Sequence, residues 1–399
     1  MYLKKKWINR VENARNKSLI FAKNLKCDEG YKYTVNHDVN KYPAALLYGT
    51  WSNIYIKHLL LGEEWKDNIE KKQFLNILNS FRNSDGIFFP ESLNKIKFSK
   101  SLEYLKLHCY NYSVGAALLI DKDYDFNSSY MDEFLGKKFL ERWLDQRSLQ
   151  RPWEESNNIV NVASYLALCS EKGNKDAEKR LKYMLDWHNK NQNPKTGGFE
   201  IFSPTRKNFL QSMAGSVHNF HIHHYLNKPI KYEKIIANNL IPFLYEGPLT
   251  ACLSIDFVEL ACTTIHHVEN KYELGQALLF HLDNLLNYQN DDGGWFENEV
   301  PRPTTANGMK ENIASSNSYA TWFRMCSIAM IMITLFDEKK FTWNFRNTLG
   351  MGYVNNNIQK LKFDDYSIDN SLIRKNKLKN FPYKIKDNLI ILASKYLKF

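Results

Sequence analysis

Cysteine is scarce and nowhere paired. The six are Cys27, Cys109, Cys169, Cys252, Cys262 and Cys326. None forms a C-x-x-C pair and most lie in apolar runs, so they read as reduced core residues, which argues against a disulfide framework or a zinc knuckle. Only 17 Gly and 11 Pro occur in 399 residues, against a loop-rich or small-strand architecture. No Pro/Gly/Ser linker divides the chain. The most apolar stretch, Met325 to Phe336, is too short to span a bilayer. Met1 to Lys26 is basic, is broken by Asn9, Glu12 and Asn13, and has no apolar signal region; a cytoplasmic protein is expected. No Walker loop, Rossmann fingerprint or Gly-x-Ser-x-Gly elbow occurs.

What is present is ordinary in bulk and unusual in its aromatics. Hydrophobic residues make up 44% and charged residues 24%, as in a globular protein. Aromatics reach 14%, which needs a thick core or an aromatic-lined cavity. Lys and Arg number 54 against 43 acids, a net +11. The excess is spread along the chain, as AT-rich codon usage would spread it. No nucleic-acid module accompanies it, so no nucleic-acid partner is expected. Peripheral membrane contact through the basic surface stays open.

Helical spacing of apolar residues dominates, in runs such as Tyr42 to Leu61, Gln73 to Phe81 and Lys179 to His188. No stretch sustains alternation of period two, so the fold is expected to be all α. Three segments resemble one another. Each is a helix that ends in an aromatic, a polar residue and Asn, then turns through Gly and plants an aromatic. They run through Phe81-Arg82-Asn83 to Gly86 and Phe88, through Trp187-His188-Asn189 to Gly197-Gly198-Phe199-Glu200, and through Tyr288-Gln289-Asn290 to Gly293-Gly294-Trp295. Glycine ends a helix because it takes a positive φ cheaply. If each segment marks every second helical hairpin, a hairpin is about 50 residues and about six fill the chain. Between them lie helices of small residues dotted with His, Asn, Ser, Asp and Tyr: His108 to Ile120, Glu155 to Leu168, Gln211 to Leu226, Asp256 to His267 and Ser315 to Leu335. Amphipathic outer helices alternating with small, polar-dotted inner ones are what a closed double ring requires. The expected organisation is an α/α toroid over residues 1–336. Residues 337–399 form a basic closing segment of the same domain, with a last helix near Asn388 to Leu397.

The run Gln289-Asn290-Asp291-Asp292-Gly293-Gly294-Trp295-Phe296 resembles the Gln-to-Trp repeat of squalene cyclases and protein prenyltransferase β subunits. That resemblance implies an α/α toroid. Four further blocks resemble bacterial toroid proteins that sit with surface-polysaccharide and sugar-modifying genes. They are Arg151-Pro152-Trp153-Glu154-Glu155-Ser156-Asn157-Asn158, Gln211 to His218, Asp256-Phe257-Val258-Glu259-Leu260 and Thr321-Trp322-Phe323-Arg324. The first block also resembles the Asn-Asn-His run of toroidal polysaccharide lyases, with Ile159 where the His would stand.

Terpene chemistry lacks its acids. No Asp-x-Asp-Asp run exists, Asp291-Asp292 lies in a turn, and Asp121-Lys122-Asp123-Tyr124-Asp125 reads as a loop without the Gly of a calcium site. A zinc site of Asp256, Cys262 and His266 or His267 has the right residue types, but six residues put Asp256 and Cys262 on different helix faces, so neither metal nor cofactor is expected. His218, His221, His223 and His224 form the densest histidine cluster, and 218, 221 and 224 share a face. His218 is either a satisfied core group or a pocket acid–base.

Asn157, Asn158 and Asn161, with Glu154 and Glu155, open an inner helix after Pro152-Trp153, either as caps or as substrate ligands. Tyr112 stands four residues from His108, and Asp256 and Glu259 stand three apart as paired carboxylates. Trp153 is a candidate sugar platform and also a packing residue. The expected site lies at one mouth of the ring. Its catalytic members are His218, Tyr110, Asp256 and Glu259; its substrate-binding members are His108, Glu155, Asn158 and Trp153. The expected function is metal-independent acid–base chemistry on a glycan or sugar intermediate, by a lyase, epimerase or hydrolase-like route. The alternatives are a terpenoid cyclase or prenyl-binding enzyme, and a non-catalytic scaffold in glycan assembly.

Overall fold

A computed structural model describes residues 2–65, 68–95, 101–199, 206–246, 249–297, 309, 314–354 and 357–378. Glu200 of the second repeated segment and the helix expected at 388–397 lie outside them. The protein is 64% helix and 2% strand, in keeping with an all-α fold. Only one two-stranded ladder, Lys26–Cys27 against Gly30–Tyr31, is present among the described residues. The cysteines there are all free thiols.

The helices fall into two kinds. One kind is buried along nearly all of its described side chains: α2 (Pro43–Leu61), α4 (Leu102–Ile120), α7 (Pro152–Glu171), α9 (Arg206–Tyr225), α12 (Ala251–Thr263) and α14 (Ser318–Phe336). A helix apolar on every side, or carrying polar groups that find partners inside, belongs in a core. The other kind keeps one face wet: α1 (Tyr2–Asn24), α3 (Asn68–Ser80), α8 (Lys175–Asn191) and α13 (Lys271–Asn287), with shorter pieces α5 (Ser129–Asp132), α6 (Lys137–Asp145), α10 (Glu233–Asn239) and α11 (Ile241–Leu244). The two kinds alternate along the chain. Helix α14 is the one described helix long and apolar enough to cross a membrane, and 89% of its apolar window is buried inside the protein.

The buried helices touch in a cycle. Helix α2 packs on α4, α4 on α7, α7 on α9, α9 on α12, α12 on α14, and α14 back on α2. Close approach needs small residues: a Cβ at Gly215 of α9 would stand 2.7 Å from the Pro152 carbonyl oxygen of α7. The wet helices pack on members of the cycle, α1 and α3 against α2, α8 against α7, and α13 against α14.

The three repeated segments end α3, α8 and α13, every second outer element, and each leads to the start of a buried helix. In all three an Asn N–H closes the turn and a glycine takes positive φ: Asn83 to the Ile87 carbonyl with Gly86 at 82°, Asn193 to Gly198 with Gly197 at 78°, Asn290 to Gly294 with Gly293 at 88°. The second register differs from the one read in the sequence. Gln192-Asn193, not His188-Asn189, matches Gln289-Asn290, because Gln192 Nε2 donates to the Gly197 carbonyl as Gln289 Nε2 does to Gly293. Pro194 adds a residue to that turn and hides the match. The planted aromatics fold back: Trp295 Nε1 donates to the Leu285 carbonyl at 2.8 Å, and Phe199 stacks on His188 at 3.8 Å.

Residues 341–354 and 357–361 run across the C-terminal ends of the buried helices. The Asn344 N–H meets the Leu59 carbonyl of α2, Gln359 N–H that of Cys262 in α12, and Leu361 N–H that of Thr334 in α14. The orphan carbonyls of those helix ends are thereby satisfied.

Candidate functional site

The inside of the cycle has two unlike walls. Helices α2, α4 and α14 supply aromatic rings. Trp51 stacks on Tyr112 at 4.7 Å and Tyr55 on Trp322 at 4.3 Å, and His108 sits among Tyr48, Tyr104 and Tyr112 at 5.8, 5.5 and 4.4 Å. The Tyr48 hydroxyl bonds His108 Nδ1 at 3.3 Å. Helices α7, α9 and α12 supply amides, imidazoles and carboxyls. His221 Nε2 and Glu259 Oε1 lie 2.6 Å apart, both buried. Asp256 stands nearly one turn before Glu259 on α12, as His218 does before His221 on α9. Asp256 is 0% exposed, and neither of its carboxyl oxygens has a hydrogen-bond partner. Glu259 Oε2 and His221 Nδ1 are likewise buried without one.

Burial sets the protonation here. It raises Glu259 well above the usual carboxylate range, and raises Asp256 likewise, with the neighbouring Glu259 and Glu297 carboxylates adding to the rise. It lowers His221 to about 3, helped by the Arg346 guanidinium. Both members of the His221–Glu259 pair are therefore driven neutral, with the Glu259 carboxyl O–H donating to His221 Nε2. Arg346 closes the far end of this wall. Its Nη2 donates to Asn111 Oδ1 at 2.7 Å, and Asn111 Nδ2 donates to Asn161 Oδ1 at 2.7 Å. The guanidinium lies 5.3 and 5.6 Å from the centres of the Tyr55 and Tyr112 rings.

At the other end the buried helices begin. Half-buried Trp153, Glu154, Cys252, Glu297 and Tyr319 form a rim there. Tyr104 lies within electrostatic reach of Glu154, Cys252 and Asp256, and Asp256 within reach of Glu297, which sets Asp256 near this rim.

Of the residues expected from the sequence, the structure brings Asp256, Glu259, His218 and His108 to the interior. The histidine bonded to Glu259 is His221 rather than His218; His218 and His221 meet ring to ring, 6.2 Å apart. Tyr110 is not part of the group. Its hydroxyl donates to the Phe126 carbonyl at 2.5 Å and its ring meets Phe88 and Tyr165, between the layers. Glu155 is tied outward to Arg147 at 3.2 Å, beside the Arg147–Glu103 pair at 3.0 Å. Asn158 is buried, and its Oδ1 is without a hydrogen-bond partner. The side chain of Trp153 stands at the rim, half-buried. Asp256, Cys262 and His266 do not converge as a metal set; the grouping present among the described residues is Glu233, His266 and His267.

Sequence reading missed three contributors. His221 belongs to the histidine cluster, but a shared face cannot say which member meets a carboxylate. Glu297 follows the third glycine turn with no spacing signal. Arg346 lies in a segment legible only as basic. The chain matches no family model, no curated protein and no solved structure.

Proposed function

We propose that the protein is an α/α toroid of six hairpins carrying out metal-independent acid–base chemistry on a sugar-containing substrate at the rim where the inner helices begin. The contact cycle α2-α4-α7-α9-α12-α14 and the outer element beside each member support the toroid. One observation carries the chemistry: Asp256 is a fully buried carboxyl with no hydrogen-bond partner, beside the His221–Glu259 pair. Such a group costs stability unless something uses it. A carboxyl kept neutral by burial is a proton donor near neutral pH. The Asp256 carboxyl O–H gives its proton to the substrate, and the carboxylate so formed takes a proton back from the reacting intermediate or from water, while the neutral Glu259–His221 pair holds the interior beside it. The Tyr48, Tyr104 and Tyr112 rings offer flat faces for a sugar ring on the opposite wall. Substrate reaches Asp256 when the rim side chains part.

A second reading rests on that aromatic wall, which equally suits an isoprenoid. Ligand-induced thermal stabilisation separates the two, with nucleotide sugars, uronate oligosaccharides and isoprenyl diphosphates as probes. The proposal expects a sugar probe to raise the melting temperature of the wild type. It expects turnover of that probe to fall by about 10²–10⁴-fold in Asp256→Asn. Stabilisation by isoprenyl diphosphates alone rejects it, as does unchanged turnover in the variant.

A further inference from the structure

Away from the ring interior, on the outer surface, two adjacent histidines converge on one carboxylate. His267 Nε2 lies 3.0 Å and His266 Nε2 3.8 Å from the same oxygen, Glu233 Oε2. All three offer a ligand atom within 4.8 Å of the others. A tetrahedral ion at ~2.0–2.1 Å from each donor needs donors about 3.3 Å apart, and the two observed distances bracket that value. The histidines are held in place before any ion arrives. They sit in a short 3-10 turn, Ile265–His267, after α12. The His266 N–H donates to Gln359 Oε1 at 2.9 Å, and Asn238 Nδ2 donates to the His267 carbonyl at 3.3 Å. The histidine side chains are 52% and 34% exposed, which leaves room for water as a further ligand, whereas Glu233 is 13% exposed.

We propose that Glu233, His266 and His267 bind a divalent transition-metal cation of borderline softness, with zinc as the type. The ion pins the turn after α12 to the start of α10. Two imidazoles and one carboxylate with an open position suit zinc over magnesium or calcium, which prefer all-oxygen sets. The site uses neither Asp256 nor Cys262 and does not depend on the acid–base reading. Gln359 tunes it. Its Nε2 lies 2.5 Å from His266 Nδ1 and also donates to the Thr263 carbonyl, so Nδ1 accepts and Nε2 carries the proton. Ligation through Nε2 needs the imidazole proton to move to Nδ1, where the amide must turn to present its oxygen. A carboxylate at position 359 would accept from Nδ1–H without that turn.

The test is calorimetric titration of the full chain with zinc chloride, beside the spectrum of the cobalt-loaded protein. The wild type is expected to bind a single equivalent saturably, with no thiolate charge-transfer band. His267→Ala and Glu233→Gln, checked as folded by their melts, are expected to weaken binding by at least tenfold. Gln359→Glu is expected to tighten it by about tenfold, the low end of what an outer partner of a ligating histidine supplies. Absence of saturable binding, unchanged binding in both ligand variants, or a thiolate band would each overturn the site.

Discussion

The two walls of the interior are built from residues of similar burial and opposite economy. On the aromatic wall rings pack on rings: Trp51 alone meets Tyr48, Tyr55, His108, Tyr112, Tyr319 and Trp322, and only its Nε1 among its atoms is polar and unpartnered. On the polar wall, carboxyl and imidazole atoms are sealed from water without hydrogen-bond partners: both oxygens of Asp256, Oε2 of Glu259 and Nδ1 of His221. The first arrangement maximises packing. The second gives up stability, because an unpaired buried polar group costs about 1–3 kcal/mol. The difference teaches that burial alone does not mark a core: one wall holds the fold together and the other is held by it.

The largest effect is expected on the aromatic wall. Trp51→Ala removes a ring that is 0% exposed and is expected to cost about 3–5 kcal/mol, read as a lowered denaturation midpoint. A loss under about 1 kcal/mol would mean that this wall is loosely packed and the contrast is lost.

Acid should act chiefly on the polar side. Burial lowers His221 and His224 to about 3 and His223 and His281 to about 4, from 6.5. Depressed folded values mean that the unfolded chain takes up protons first. Their contribution is fully present above pH 6.5 and is lost as pH falls toward 3–4. Asp256 and Glu259, raised in the fold, act with the opposite sign and offset part of the loss. The melting temperature is expected to fall between pH 7 and pH 5, with each histidine adding at most ~1.4 kcal/mol per pH unit. His223→Gln should flatten that slope, and a pH-independent melt would contradict the neutral histidines.

The smallest effect lies outside both walls. Glu155→Gln keeps the Arg147–Glu103 pair and removes one partly exposed ion pair, so stability should change by less than about 1 kcal/mol and turnover should be unaffected. A turnover loss in that variant would return Glu155 to the site.

Much of this was legible in the sequence, and the illegible parts have physical reasons. Helical type followed from apolar spacing, and the turns at Gly86 and Gly293 from glycine, asparagine and the aromatic that follows. The second turn was read four residues early because Trp187-His188-Asn189 mimics the aromatic, polar and Asn ending, while Asn191 stands where the aromatic would precede Gln192-Asn193. Asp256 and Glu259 were legible as a pair three apart on one helix. Their partner was not, since pairing depends on the register of α9 against α12. Tyr110 misled because it stands two residues from the inner-facing His108, about 200° round the helix, and so faces the other way. Arg346 sits 235 residues from Asn111, a distance at which no local pattern can operate.

The central claim is that Asp256 is kept for chemistry at a cost in stability, and the melting temperature of Asp256→Leu at neutral pH tests it most directly. Leucine has nearly the same shape and no polar atom to leave unpaired. The account predicts a melting temperature equal to or above that of the wild type, with turnover abolished. A clearly lower melting temperature would show that the Asp256 carboxyl supports the fold, and would contradict the account.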